Sequence, residues 1–232
     1  MFVARLRAHF GTDPAGLPIV AEQFERSEHP NLQAALDAWL REPGRSFEAT
    51  GVTSEYKRFN GLSLADILTS SRTGLVGGSG PAVGPVEYVN VSLDGDHVMT
   101  CVQFGLLLVR DGEVPLAVLV CGPTERGIRE KAQVEVMAPD RDRARSFLAD
   151  IRAGMHERNV YRGHVVSLAV EQYGSLRIKF HTLPTIAREE IVLADGVLER
   201  VERRRGLPTH QQPRRPARAG PGRPARPRRP GG

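Results

Sequence analysis

The sequence predicts an α+β fold: an antiparallel or mixed sheet with flanking helices, followed by a disordered Arg/Pro/Gly-rich tail. Three observations carry that prediction. Apolar runs bounded by Asp-Gly turns fill residues 86–120, apolar residues recur at helical spacing in two other stretches, and acidic residues vanish after Glu202. The 232 residues suffice for a core that needs no disulfide or metal to hold it.

Taken in order, Asn31 follows a proline and is placed to cap a helix in which Leu32, Ala35, Leu36, Trp39 and Leu40 share one face. Ser63 with Asp66 forms a capping-box pattern, and Leu62 with Ile67 a hydrophobic staple, for a short helix to about Thr69. A glycine-rich loop, Gly74–Gly84, follows; it lacks G-x-G-x-x-G spacing and reads as a linker. Strands are then expected at Val86–Leu93, Val98–Val109, Leu116–Val120 and Gln133–Ala138, the first three joined by turns at Asp94-Gly95 and Asp111-Gly112. The runs at 106–109 and 116–120 are apolar on both faces, so a helix should cover the outer face. Asp140 caps a helix with Ala144, Phe147, Leu148, Ile151 and Met155 on one stripe. Val165–Val170 and Leu176–Phe180 read as a hairpin around Tyr173-Gly174, and a last helix runs from Asp195 to about Glu202. The domains expected are a helical or mixed subregion at 1–75, an α+β core at 85–160, a hairpin and linker helix at 161–203, and the tail at 204–232.

The net charge of +5 is unevenly spread. Residues 203–232 hold ten Arg, seven Pro and five Gly with no acid, which leaves residues 1–202 at −5. The body is therefore not a basic nucleic-acid binder. The prolines deny the tail helix and ladder pairing. Three readings of it stand: a plain solvated tail, a segment that contacts nucleic acid or anionic lipid through counterion release, or an out-of-frame product of a GC-rich gene. The absence of an apolar run of about 18 residues argues against a membrane span, the start is too short in apolar residues for a secretory leader, and two cysteines, Cys101 and Cys121, suit a reducing cytoplasm.

Chemistry-bearing patterns are sparse. Gly122–Gly127 has P-loop glycine spacing, but Ile128-Arg129 stands where Lys-Ser/Thr would meet phosphate and Mg²⁺, so the segment reads as a turn. Cys101 and Cys121 lie on opposite arms of one expected hairpin and read as buried core thiols. The seven histidines show no metal spacing and are expected mostly at the surface, with His164 and His181 able to meet across the second hairpin. No acid sits in an evidently apolar setting that would raise its pKa, and no nucleophile elbow occurs. No catalytic residue, cofactor or metal ligand is assigned. A weak enzymatic pocket is conceivable only around His164, His181 and the 122–127 turn.

The junction of body and tail carries a resemblance. NVYRGHVVSL at 159–168, FHTLPTIAREEIVL at 180–193 and GVLERVER at 196–203, in that order, are similar to the amino-terminal region of actinobacterial-type AAA-family ATPases. EYVNVSL at 87–93, the apolar block at 104–123 and the segment at 134–152 fit the same region. The likeness covers about residues 15–203 and rests on the order of several segments. In that family an ATPase module with its P-loop comes next; here the Arg/Pro/Gly tail begins, and Walker A, Walker B and the arginine finger are missing. The resemblance implies a non-catalytic region that recognises a protein substrate or adaptor, a homo-oligomer through the parent family, and no ATP binding by this chain. It marks Tyr161, Arg162, Gly163, Phe180, His181, Pro184, Arg188, Leu198, Glu199 and Arg200 as a motor-coupling segment. The alternative is a small binding module whose basic tail contacts nucleic acid.

Overall fold

The computed structural model describes residues 2–53, 62–69, 81–93, 97–124, 129–170, 176–181, 196, 197 and 200. They fall in two units, 1–183 and 184–232. The first is built on a seven-stranded sheet whose paired strands are all antiparallel: β1 (Ile19–Phe24), β2 (Arg45–Thr53), β3 (Ala82–Gly84), β4 (Glu87–Ser92), β5 (Val98–Asp111), β6 (Val114–Cys121) and β7 (Ala132–Met137). The strand order is β1-β7-β6-β5-β2-β3, with β4 pairing the first half of β5. Strands from both sides of the glycine-rich stretch interleave: β2 lies against β5, and β1 against β7.

Helices cover both faces, which explains why β5 and β6 are apolar throughout. On one face α2 (His29–Leu40) and α4 (Arg141–Glu157) bury Leu36, Trp39, Phe147 and Ile151 against Leu107, Val118, Val120 and Val134. On the other, α1 (Phe2–Phe10) and α3 (Leu64–Thr69) bury Phe2, Leu6, Leu64 and Ile67 against Leu106, Phe104, Leu119 and Met137. A two-stranded sheet of β8 (Val165–Val170) and β9 (Leu176–His181) stands outside this sandwich.

Side-chain contacts tie the layers. The Arg45 guanidinium lies 3.8 Å over the Trp39 ring and donates to Asp111 at 2.9 Å, and Asp111 accepts from Arg143 of α4 at 3.1 Å. Trp39 meets Phe147 edge-on at 4.7 Å. His9 Nε2 lies within hydrogen-bond reach of both Val109 O and Leu116 O, pinning α1 to the β5–β6 hairpin.

Most expected elements are present, with shifted ends. Ser63 and Asp66 form the expected reciprocal cap: Ser63 N–H donates to Asp66 and Asp66 N–H to Ser63 Oγ. Asp140 caps α4 by accepting from Arg143 N–H. Helix α2 starts at His29, so Asn31 lies inside its first turn rather than before it. Helix α1 was not anticipated, and Ala82–Gly84, expected to end a loop, is a strand on β2. Residues 70–80, the turn at Tyr173-Gly174 and residues 201–232, and so the tail from 204, lie outside the described residues. So does most of the last helix, of which Val197 and Arg200 are helical.

Gly51 marks where β2 bends off the sheet onto β3. A Cβ there would stand 1.6 Å from Pro85 O, a backbone atom with nowhere to go. Gly51→Ala is expected to cost roughly 1–3 kcal/mol or more, as overpacking does, read as a lower urea midpoint at unchanged slope.

Candidate coupling interface

The joint between the sandwich and the β8–β9 hairpin is assembled on the first turns of α2. Beyond Cys121, β6 no longer runs beside β5; Gly122 N–H donates to Gln103 O at 2.8 Å. Here β5 carries a bulge: Glu87 pairs with Phe104 but Tyr88 with Val102, leaving Gln103 as the extra residue. Helix α2 supplies what a strand would have. His29 Nε2 donates to Val102 O at 2.9 Å, and Val102 N–H donates to Gln33 Oε1 at 2.8 Å. Gln33 is held in turn by Asp37 at 2.7 Å.

The same turns hold the joint. Asn31 Oδ1 accepts from Val160 N–H at 2.7 Å, and Tyr161 Oη donates to Ser27 O. Asn159 Oδ1 accepts from Tyr161 N–H at 2.9 Å, and Arg162 donates to His156 O at 3.1 Å. Gly163, at φ +85°, makes the turn into β8 in a conformation other residues resist. Phe180 of β9 then packs 5.7 Å from Tyr161 and 5.4 Å, edge-on, from His164. Burial pushes the Tyr161 hydroxyl up to about 12.

The hairpin itself pairs Val166 with Phe180 and Leu168 with Ile178. Leu168 is 64% and Val170 72% exposed. Two strands alone are marginal in water, so this apolar surface is one that a covering partner would stabilise.

Of the expected coupling residues, the structure brings Tyr161, Arg162, Gly163, Phe180 and His181 to this joint; His181 bonds Ser167 Oγ at 2.7 Å. Arg200 lies in the second unit, bonded to Gly196 O at 3.2 Å. Pro184, Arg188, Leu198 and Glu199 lie outside the described residues. His164 packs on Phe180, and His181 bonds Ser167 Oγ. Cys101 does not face Cys121, whose partner is Phe104; burial pushes the Cys101 thiol up to about 11, so it is a poor nucleophile.

Three buried polar groups were missed by sequence reasoning. The histidines were expected mostly at the surface, and His29 is 2% exposed. Gln33 is buried on α2 and was not singled out. Glu135 contradicts the expectation that no acid sits in an apolar setting that raises its pKa: it accepts from Leu64 N–H and Gln133 at 2.7 Å each, and burial raises its pKa. The signal available was weak: a lone acid among Val134, Val136 and Met137. Among the described residues, no three His, Cys, Asp or Glu side chains gather to hold a metal. No family model, curated protein or solved structure matches the chain.

Burial lowers the pKa of His29, Arg26 adds to that, and the Val102 bond opposes it. Because the folded value lies below the unfolded one, the stability His29 contributes is present above pH 6.5 and is lost as pH falls below it. His29→Gln, which keeps a donor, is expected to flatten stability against pH in that window, measured by urea unfolding from pH 7.5 down to 5. In a spectroscopic titration Tyr161 should ionise late, at about pH 12, and Tyr161→Phe should remove that late component at a cost of about 1 kcal/mol.

Proposed function

We propose that this chain is a non-catalytic protein-recognition region of the kind that precedes an AAA-type ATPase motor. The β8–β9 hairpin and its Tyr161–Phe180 joint then couple the recognised protein to neighbouring chain. The supporting observation is the exposed Leu168 and Val170 surface on a hairpin anchored to the sandwich through Tyr161, Asn31 and Ser27. A rigid foot with an apolar free end transmits force or recognition better than a free loop. The two buried thiols, Cys101 and Cys121, suit a reducing compartment such as the cytoplasm.

Two measurements test this. Calorimetric titration with Mg-ATP is expected to give no saturable heat, and hydrolysis to stay at background; nucleotide binding or turnover would overturn the reading. The double variant Leu168→Asp/Val170→Asp is expected to keep its unfolding free energy within roughly 0.5 kcal/mol, since both residues lie outside the two cores. It should nonetheless lose binding to a labelled unfolded probe, reduced carboxymethylated lactalbumin. Retained probe binding would remove the hairpin from recognition. Duplex DNA binding that falls steeply with salt would favour the alternative of a nucleic-acid-binding tail.

A further inference from the structure

A second surface lies on the other side of the joint. A cleft of about 430 Å³ opens between β1, the start of α2 and the end of α4. Phe24 and Met155, both buried, give it an apolar floor. Its walls carry Glu22, ion-paired to Arg152, and Glu28. Asn31 and Asn159, whose carbonyl oxygens hold the joint, also line it, as does His156.

Strand β1 is an edge of the sheet. Among the described residues it pairs only with β7, so its other side presents unpaired N–H and C=O groups. Glu22 and Phe24 stand on the face of β1 that the cleft opens onto. The charges are unequal. Arg152 neutralises Glu22, and Lys131 pairs with Glu25 at 2.6 Å. Glu28 spends an oxygen on Glu25 N–H at 2.7 Å and forms no ion pair among the described residues, although its charge reaches the Lys131 ammonium.

We propose that this edge and cleft bind an extended peptide segment that adds a strand to β1 and seats a Lys or Arg side chain by Glu28. Main-chain bonds along β1 supply affinity, and alternate side chains enter the cleft. A polyanion such as a nucleotide is disfavoured by the Glu28 carboxylate, which no ion pair offsets among the described residues. Because Asn31 and Asn159 belong to both the cleft and the joint, an occupant here also touches the residues that set the hairpin.

The probe is a fluorescein-labelled, end-blocked peptide of sequence Thr-Val-Lys-Val-Thr-Val, read by fluorescence anisotropy on the full chain, beside a second peptide with Glu for Lys. The Lys peptide is expected to bind more tightly, and Glu28→Gln to weaken it about two- to five-fold, the scale of a part-exposed ion pair. Hydrogen exchange should show new protection in β1. Leu168→Asp/Val170→Asp should leave this binding unchanged, which separates failure here from failure of the hairpin. Equal affinity for the two peptides, protection confined to other elements, or no binding of the Lys peptide at about 1 mM would each overturn the proposal.

Discussion

Where β6 ends, β5 has lost one neighbour while still running through the protein interior, and Val102 presents both its N–H and its C=O to whatever comes next. Buried main-chain groups without partners are costly. Helix α2 meets the demand with two side chains one turn apart, His29 and Gln33. That clamp fixes how far α2 lies along the sheet. Once α2 is fixed, Asn31 and Ser27 are placed to receive Val160 and Tyr161 from the end of α4. The bulge in β5, the foot of the hairpin and the cleft beside β1 therefore depend on one short stretch of helix.

The two sheets illustrate opposite solutions to the same problem. The seven-stranded sheet is sealed on both faces, by α2 and α4 on one side and α1 and α3 on the other, so it can carry long apolar strands at its centre. The β8–β9 hairpin has no such cover at Leu168 and Val170. It is kept in place at its base by aromatic contacts and by Tyr161. The mechanical contrast between a sealed body and an apolar, tethered end is what the recognition reading rests on.

Several elements were legible because a local rule specifies them. The Ser63–Asp66 box, the Asp140 cap, the apolar stripe of α4 and the alternation of the second hairpin each need only neighbours in sequence. Helix α1 was not legible, because its nine residues are broken by Arg5 and Arg7 and its burial depends on Phe2 and Leu6 finding a sheet face formed a hundred residues later. The interleaving of β1 and β2 with the later strands was equally hidden, since pairing partners are not written in the pattern of either strand. Among the candidate residues, Tyr161 and Phe180 were singled out, but their mutual packing was not derivable from either segment.

By itself, the sequence determined the class: alternating apolar periods of two and of three to four, with Asp-Gly turns, admit little besides helices on an antiparallel sheet, and the clustering of arginine after residue 202 makes the body acidic. The tertiary structure alone decided which polar groups are buried. His29 and Gln33 carry no local signal and Glu135 only a weak one, because a polar side chain is placed inside when a distant main-chain group requires it, and that requirement exists only after the strands and helices have packed.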